Sequence, residues 1–222
     1  MASSAARLLV ACALALSALA PGALPAAAQD ARGEPLSIVA LGDSLMAGYN
    51  LPAPAAFPNV LERRLEEEGY ENVTIVNAGV SGDTASGGLA RLDWSVPEGT
   101  DGVILELGAN DMLRGLDPQL TYEALDAIIR RLEERDIPVL LAGMMAARNM
   151  GPDYVEAFDA IYPRLAEEHD LVLYPFFLEG AITNPDLMLP DGIHPNEEGV
   201  EAMVERMLPT VIRFIERIRA EG

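Results

Sequence analysis

The 222-residue chain is half hydrophobic and carries a formal charge of −20, which suits one domain with a full core and repels nucleic acid and anionic lipid. All 15 basic residues are arginine, which excludes a P-loop lysine, a Schiff-base lysine and a serine–lysine pair. Two histidines, His169 and His194, and a single cysteine, Cys12, leave no basis for a histidine-rich metal centre or a disulfide framework.

Residues 1–28 have the pattern of a secretory signal peptide. Arg7 supplies the charged start, and Leu8 to Ala20 the apolar core, shorter than the roughly 20 residues of a membrane helix. Pro21-Gly22 breaks the run, and Ala26-Ala27-Ala28 offers a small-residue cleavage site before Gln29. Leu9-Val10-Ala11-Cys12 resembles a lipoprotein cleavage box, but a cut there leaves almost no apolar core ahead of it. The expectation is a periplasmic or secreted protein cut after Ala28. Without Arg7 its formal charge is −21, and 29–222 form a single domain with no membrane span.

Five apolar runs follow, at Leu36–Leu41, Val73–Val76, Val103–Leu107, Val139–Ala142 and Leu171–Tyr174. They are continuous rather than alternating, as in parallel strands covered on both faces. Helical spacing separates them. Phe57, Val60, Leu61 and Leu65 form one stripe, and Leu125, Ile128, Ile129 and Leu132 another, entered through Asp117-Pro118. Val155, Phe158, Tyr162 and Leu165 mark a further helix that Pro163 is expected to kink. A final helix runs from Val200 to Ile215, with a bend expected at Pro209. Alternating strands and helices predict a three-layer α/β fold, in which ligands bind beyond the carboxyl ends of the strands.

Reactive residues cluster at those ends. Ser44 follows the first run, Ser81-Gly82-Asp83-Thr84 the second, Asn110-Asp111 the third, and Asp191-Gly192-Ile193-His194 precedes the last helix. A serine needs a base, and His194 can take its proton while Asp191, three residues earlier, holds the other ring nitrogen. A tetrahedral oxyanion needs preorganised donors, which the Gly82 and Ser44 N–H groups and the Asn110 amide can supply. Taken singly, each has a plain structural use as a turn or a helix cap. Together, at four strand ends, they point to nucleophilic catalysis. His169 and Asp43, by contrast, look structural: His169 as a cation at a helix end, Asp43 and Asp111 as partners of local backbone. Glu106, in a buried run, is expected to pair with an arginine or to lie at the sheet's edge.

Gly42-Asp43-Ser44-Leu45, Gly82, Gly108-Ala109-Asn110-Asp111 and Asp191-Gly192-Ile193-His194-Pro195-Asn196 resemble, in order, the four blocks of the SGNH (GDSL) hydrolases. The likeness extends to Gly87–Leu92 and Leu113-Arg114-Gly115, and favours the thioesterase/lysophospholipase/arylesterase branch. Ala109 departs from the second glycine of many relatives. The resemblance implies a flavodoxin-like five-stranded sheet ordered 2-1-3-4-5. It also implies a Ser44–His194–Asp191 triad, an oxyanion hole of Ser44, Gly82 and Asn110, and a small acyl ester as substrate, with no metal or organic cofactor. A carbohydrate O-deacetylase shares that fold and triad but needs an open polar cleft. A non-catalytic binding protein on the same scaffold is disfavoured by the intact set. Apolar loops after the fourth and fifth runs are expected to form an acyl groove, through Met144, Met145 and Met150 on one and Phe177, Leu178 and Leu189 on the other, a loop that also carries Phe176, Leu187 and Met188.

Overall fold

The computed structural model describes residues 33–221, so the predicted signal segment lies outside the described residues. The chain begins with β1 (Leu36–Gly42), a short α1 (Ser44–Ala47), α2 (Phe57–Glu67) and β2 (Val73–Gly79). It continues through α3 (Ala85–Ala90), α4 (Leu92–Ser95), β3 (Gly102–Leu105), α5 (Ala109–Leu113) and α6 (Pro118–Glu133). The last part comprises β4 (Val139–Ala142), α7 (Pro152–Asp159), α8 (Ile161–Glu168), β5 (Val172–Tyr174) and α9 (Glu197–Glu221).

The strands form one parallel sheet in the order β2-β1-β3-β4-β5. Pairing of Leu41 with both Ala78 and Leu105 aligns the carboxyl ends of the first three strands. The helices α2 and α9 pack against each other, while α3 and α8 pack on α6. Strands β1, β3 and β4 are buried along most of their length, as their continuous apolar runs require. β2 differs. It alternates buried Val73 and Ile75 with exposed Thr74 and Val76, because it is an edge strand with one face only partly covered. Among the described residues no helix is long and apolar enough to cross a membrane.

Local chemistry explains most boundaries. Asp117 caps α6 by accepting the Gln119 N–H at 2.9 Å, and Pro118 occupies the first turn, where a missing N–H removes no helical bond. The expected kink at Pro163 is instead a break at Ala160, between α7 and α8. Pro163 thereby falls in the first turn of α8, where proline is tolerated for the same reason. α9 continues through Pro209 without interruption. His169 caps α8, as its position suggested, and also ties that helix to α6: its ring nitrogens lie 2.9 Å from Glu133 and 2.7 Å from Asp126.

The core centres on Phe57, Phe158, Tyr162, Phe177 and Phe214, all essentially inaccessible. Phe177 meets the edge of Phe57 with ring centroids 4.7 Å apart, which makes it an anchor for the loop after β5 rather than part of a groove.

Glu106 is the main surprise of the interior. β3 lies mid-sheet, so Glu106 is at no edge, and among the described residues no arginine reaches it. It is fully buried, with Oε2 accepting the Asp43 N–H at 3.2 Å and Oε1 lacking a partner among the described residues. Its space comes from Gly42, where an added Cβ would stand 2.6 Å from Oε2. Burial, and then the charge of Asp43, push its carboxyl well above the usual range.

Two predictions follow from this interior. Phe177→Ala should destabilise the fold by about 3–5 kcal/mol in urea denaturation, with unchanged denaturant dependence. A loss below about 1 kcal/mol would remove Phe177 from the core. The second concerns Glu106, whose value in the unfolded chain is near 4.5. Above that pH the native state keeps a proton that the unfolded state releases, so this group's contribution to stability falls as pH rises. Glu106→Gln removes the titration. The Tm of that variant relative to wild type should therefore climb as pH rises above the ordinary carboxylate value of 4.5; a difference that stays flat would show that Glu106 titrates as an ordinary carboxyl.

Candidate active site

The carboxyl ends of the strands bring together residues far apart in the chain. β1 ends at Gly42, Asp43 forms the N-cap, and Ser44 opens α1. Ser44 Oγ stands 2.9 Å from His194 Nε2, across 150 positions of sequence. His194 Nδ1 is 2.8 Å from Asp191 Oδ2. The other oxygen of Asp191 accepts the backbone N–H groups of Ile193 at 2.9 Å and His194 at 3.0 Å. Those two backbone bonds, with the imidazole contact behind them, pull the Asp191 carboxyl down to about 2. Asp191 is therefore ionised throughout the neutral range and holds the ring through its Nδ1 side.

The loop that carries this pair is itself fastened. Leu189 N–H donates to the His194 carbonyl at 2.8 Å, and Met188 bridges Pro195 in antiparallel fashion. The Tyr49 ring lies over the other side of the imidazole, with centroids 4.4 Å apart and a tilt of 31°. Tyr49 had no prominence in the sequence. Its one available signal is its place five residues after Ser44, just beyond the end of α1.

Gly82 and Asn110 border the same space as Ser44 and His194. Gly82 has φ +86, a region that side-chain-bearing residues rarely adopt. An added Cβ would find only Arg114, 3.8 Å away, so the demand on this glycine is conformational rather than steric. Arg114 donates to the Gly82 carbonyl at 2.6 Å, joining the loop after β3 to the loop after β2. Arg91 makes a second tie: it donates to Asp83 at 2.6 Å and to the carbonyls of Ala78 and Gly42 at 2.9 Å each.

The acidic neighbours divide their work. Asp111 accepts from the Ala85 N–H at 2.9 Å and lies 3.3 Å from Thr121 Oγ1, holding α3 and α6 to the β3 loop. Asp43 does more than bond local backbone. Its Oδ1 accepts the Leu45 N–H at 2.9 Å, and its Oδ2 accepts Asn110 Nδ2 at 2.8 Å. Burial raises its carboxyl to about 6, against the opposing effects of the Leu45 and Asn110 hydrogen bonds.

Beside Ser44 opens a cavity of about 700 Å³ with a mainly apolar lining. Met144, Met145 and Leu178 line it, as the sequence suggested, with Phe176 of the same loop, and they are joined by Leu113, Ile182 and Ile193. Three expected members stand elsewhere. Phe177 points into the core, its neighbour Phe176 taking the cavity side. Leu189 serves through its backbone, and Met150 sits in a short 3-10 turn beside Gly115. The cause is common to all three: within an irregular loop, residue spacing does not fix which side chain faces inward.

Residues 40–202 match the GDSL-like lipase/acylhydrolase family. The chain is 38% identical over 179 residues to the arylesterase of Vibrio mimicus, spanning 80% of this chain and 89% of that protein. It is 39% identical over 180 residues to thioesterase 1/protease 1/lysophospholipase L1 of Escherichia coli strain K12, spanning 79% and 85%. Among solved structures, the SGNH-hydrolase family esterase AlinE4 superposes with a TM-score of 0.69 at 44% identity, over 82% of this chain and 97% of that one. With the family match spanning most of the chain, and with relatives aligned over nearly their whole length, the chain belongs to the GDSL-like lipase/acylhydrolase family, the SGNH hydrolases.

Proposed function

We propose that this protein is a secreted or periplasmic serine esterase that hydrolyses acyl esters and thioesters through an acyl-enzyme on Ser44. The observation that carries the reading is the unbroken relay from Ser44 Oγ to His194 at 2.9 Å and on to Asp191 at 2.8 Å, set at the wall of an apolar cavity. Export rests on the sequence pattern of residues 1–28, with 29–222 as the mature domain.

The chemistry follows from the geometry. Ser44 Oγ attacks the carbonyl carbon as His194 Nε2 takes its proton. Charge collects on the carbonyl oxygen, where the N–H groups of Ser44 and Gly82 and the Asn110 amide donate. The bond to the leaving oxygen or sulfur breaks, and His194 returns the proton to it. Water then attacks the acyl-enzyme by the same sequence, releasing the acid and Ser44. Asp191, held ionised by the loop backbone, stabilises the imidazolium formed in each half of the cycle.

The cavity speaks to the substrate. A carbohydrate deacetylase calls for an open polar cleft beside the serine, whereas this lining is mainly apolar and includes methionine, leucine, isoleucine and phenylalanine side chains. Such a wall suits an alkyl chain, and the relatives named as arylesterase and thioesterase/lysophospholipase act within the same ester class.

Ser44→Ala should lose on the order of a million-fold in kcat, the loss known for a triad nucleophile in subtilisin, while circular dichroism stays native. A fluorophosphonate should label the wild type and spare the variant; retained turnover in a folded variant would end the Ser44 reading. For the acyl group, each buried methylene is worth about 0.8 kcal/mol, or roughly fourfold in kcat/KM when fully expressed in the transition state. p-Nitrophenyl esters should therefore gain from acetate towards medium chains until the cavity is filled. Met145→Ser, in the lining, should flatten that gain, and Met150→Ser, outside it, should not. A maximum at acetate would favour the deacetylase reading.

A further inference from the structure

Asp43 carries more connections than a helix cap needs. Its side chain is fully buried, yet it sits one residue before Ser44 as the N-cap of a helix of only four residues. Oδ1 meets the ordinary capping demand at Leu45, a task that serine or asparagine performs equally well. Oδ2 is the oxygen that distinguishes aspartate here, and it is spent on the side chain of Asn110, 67 positions away. The Asp43 N–H is in turn held by Glu106 Oε2 at 3.2 Å, so backbone and carboxyl are both fixed.

The consequence lies in the chemistry of the primary amide. An ionised carboxylate only accepts hydrogen bonds, so Asn110 must turn its NH2 towards Asp43 and its carbonyl oxygen away. One amide hydrogen is used on Oδ2, and the second remains for the space shared with Ser44 and Gly82. Rotation about the last torsion of asparagine has two broad minima, related by exchange of oxygen and nitrogen. The flipped state would aim a carbonyl oxygen at the developing oxyanion. From this geometry we infer that Asp43 is a positioning residue, whose buried carboxylate locks the Asn110 amide with its NH2 towards the oxyanion. The inference rests on the reading of Asn110 as an oxyanion donor.

Asp43→Asn is the informative change. One oxygen then has to serve both Leu45 and Asn110. If it stays on Leu45, its new NH2 faces the NH2 of Asn110, and the Asn110 amide is driven to flip. Asp43→Ser keeps an oxygen for the cap and abolishes the second contact, which provides an independent variant should the first fold poorly.

The test is a double-mutant cycle on a p-nitrophenyl ester at about pH 8, where Asp43, with a value of about 6, is ionised. Asn110→Ala should lower kcat by roughly 100- to 1,000-fold with little change in KM. Asp43→Asn and Asp43→Ser should each lower kcat by a factor of about 100, again with KM nearly constant. In the Asn110→Ala background neither should cost more than about threefold, because no amide remains to be held. Full additivity would overturn the proposal, since Asp43 would then act through the helix cap or through His194. Near-normal turnover of both Asp43 variants would overturn it as well. Near-normal turnover of Asn110→Ala alone would remove Asn110 from the oxyanion hole, and that outcome is read separately from the single variant.

Discussion

The direction of the strands governs everything else in this molecule. Because all five are parallel, every strand ends at one edge of the sheet, and the loops that follow must share that edge. Hydrogen-bonded register then sets the depth at which each loop begins, as when Leu41 pairs with both Ala78 and Leu105. The 2.9 Å approach of Ser44 to His194 is thus a product of sheet geometry, not of local sequence. An antiparallel neighbour to β1 would have sent its loop to the opposite edge.

Within that edge, environment sorts the carboxylates into two kinds. Asp191 receives two backbone N–H bonds on an accessible loop and falls to about 2, so its charge is available beside the imidazole at neutral pH. Asp43 and Glu106 are buried behind Ser44 and move the other way, Asp43 to about 6 and Glu106 well above the usual carboxylate range. Desolvation is the leading cause for both, and the charge of Asp43 adds to the rise at Glu106. Removing that burial would relax the fold, but it would also open the wall against which the Ser44 turn is built. Exchange of stability for a fixed polar arrangement is common where chemistry is carried out.

The loops after β1, β2 and β3 are joined by arginine. Arg91 fastens the ends of β1 and β2 through two carbonyls, and Arg114 bridges the β2 and β3 loops through the Gly82 carbonyl. Such planar, multi-donor groups suit a chain with no lysine, since one guanidinium can serve several acceptors at once. They fix the loop backbone from outside the cavity and leave its apolar lining intact. Two loops with different fastenings thereby border one small space, lined by Gly82 from one and Asn110 from the other.

The sequence alone determined the sheet, its helices and the polar set at its edge. Buried parallel strands impose continuous apolar runs, and amphipathic helices impose their own spacing, so both are written directly in residue order. The motif residues were legible for a related reason: Ser44, Gly82 and Asn110 lie within a few residues of a strand's carboxyl end, and Asp191 and His194 in the loop that leads into the last helix, where topology leaves little choice of direction. Tertiary structure alone decided which loop side chains face the cavity, so that Phe176 lines it while Phe177 fills the core against Phe57. It also decided that Glu106 sits beneath Gly42 with the Asp43 N–H as its partner, and that Asp43 spends its second oxygen on Asn110. Irregular segments have no repeat to announce an inward face, and contacts spanning more than sixty residues depend on where separate strands stop; neither is encoded in local order.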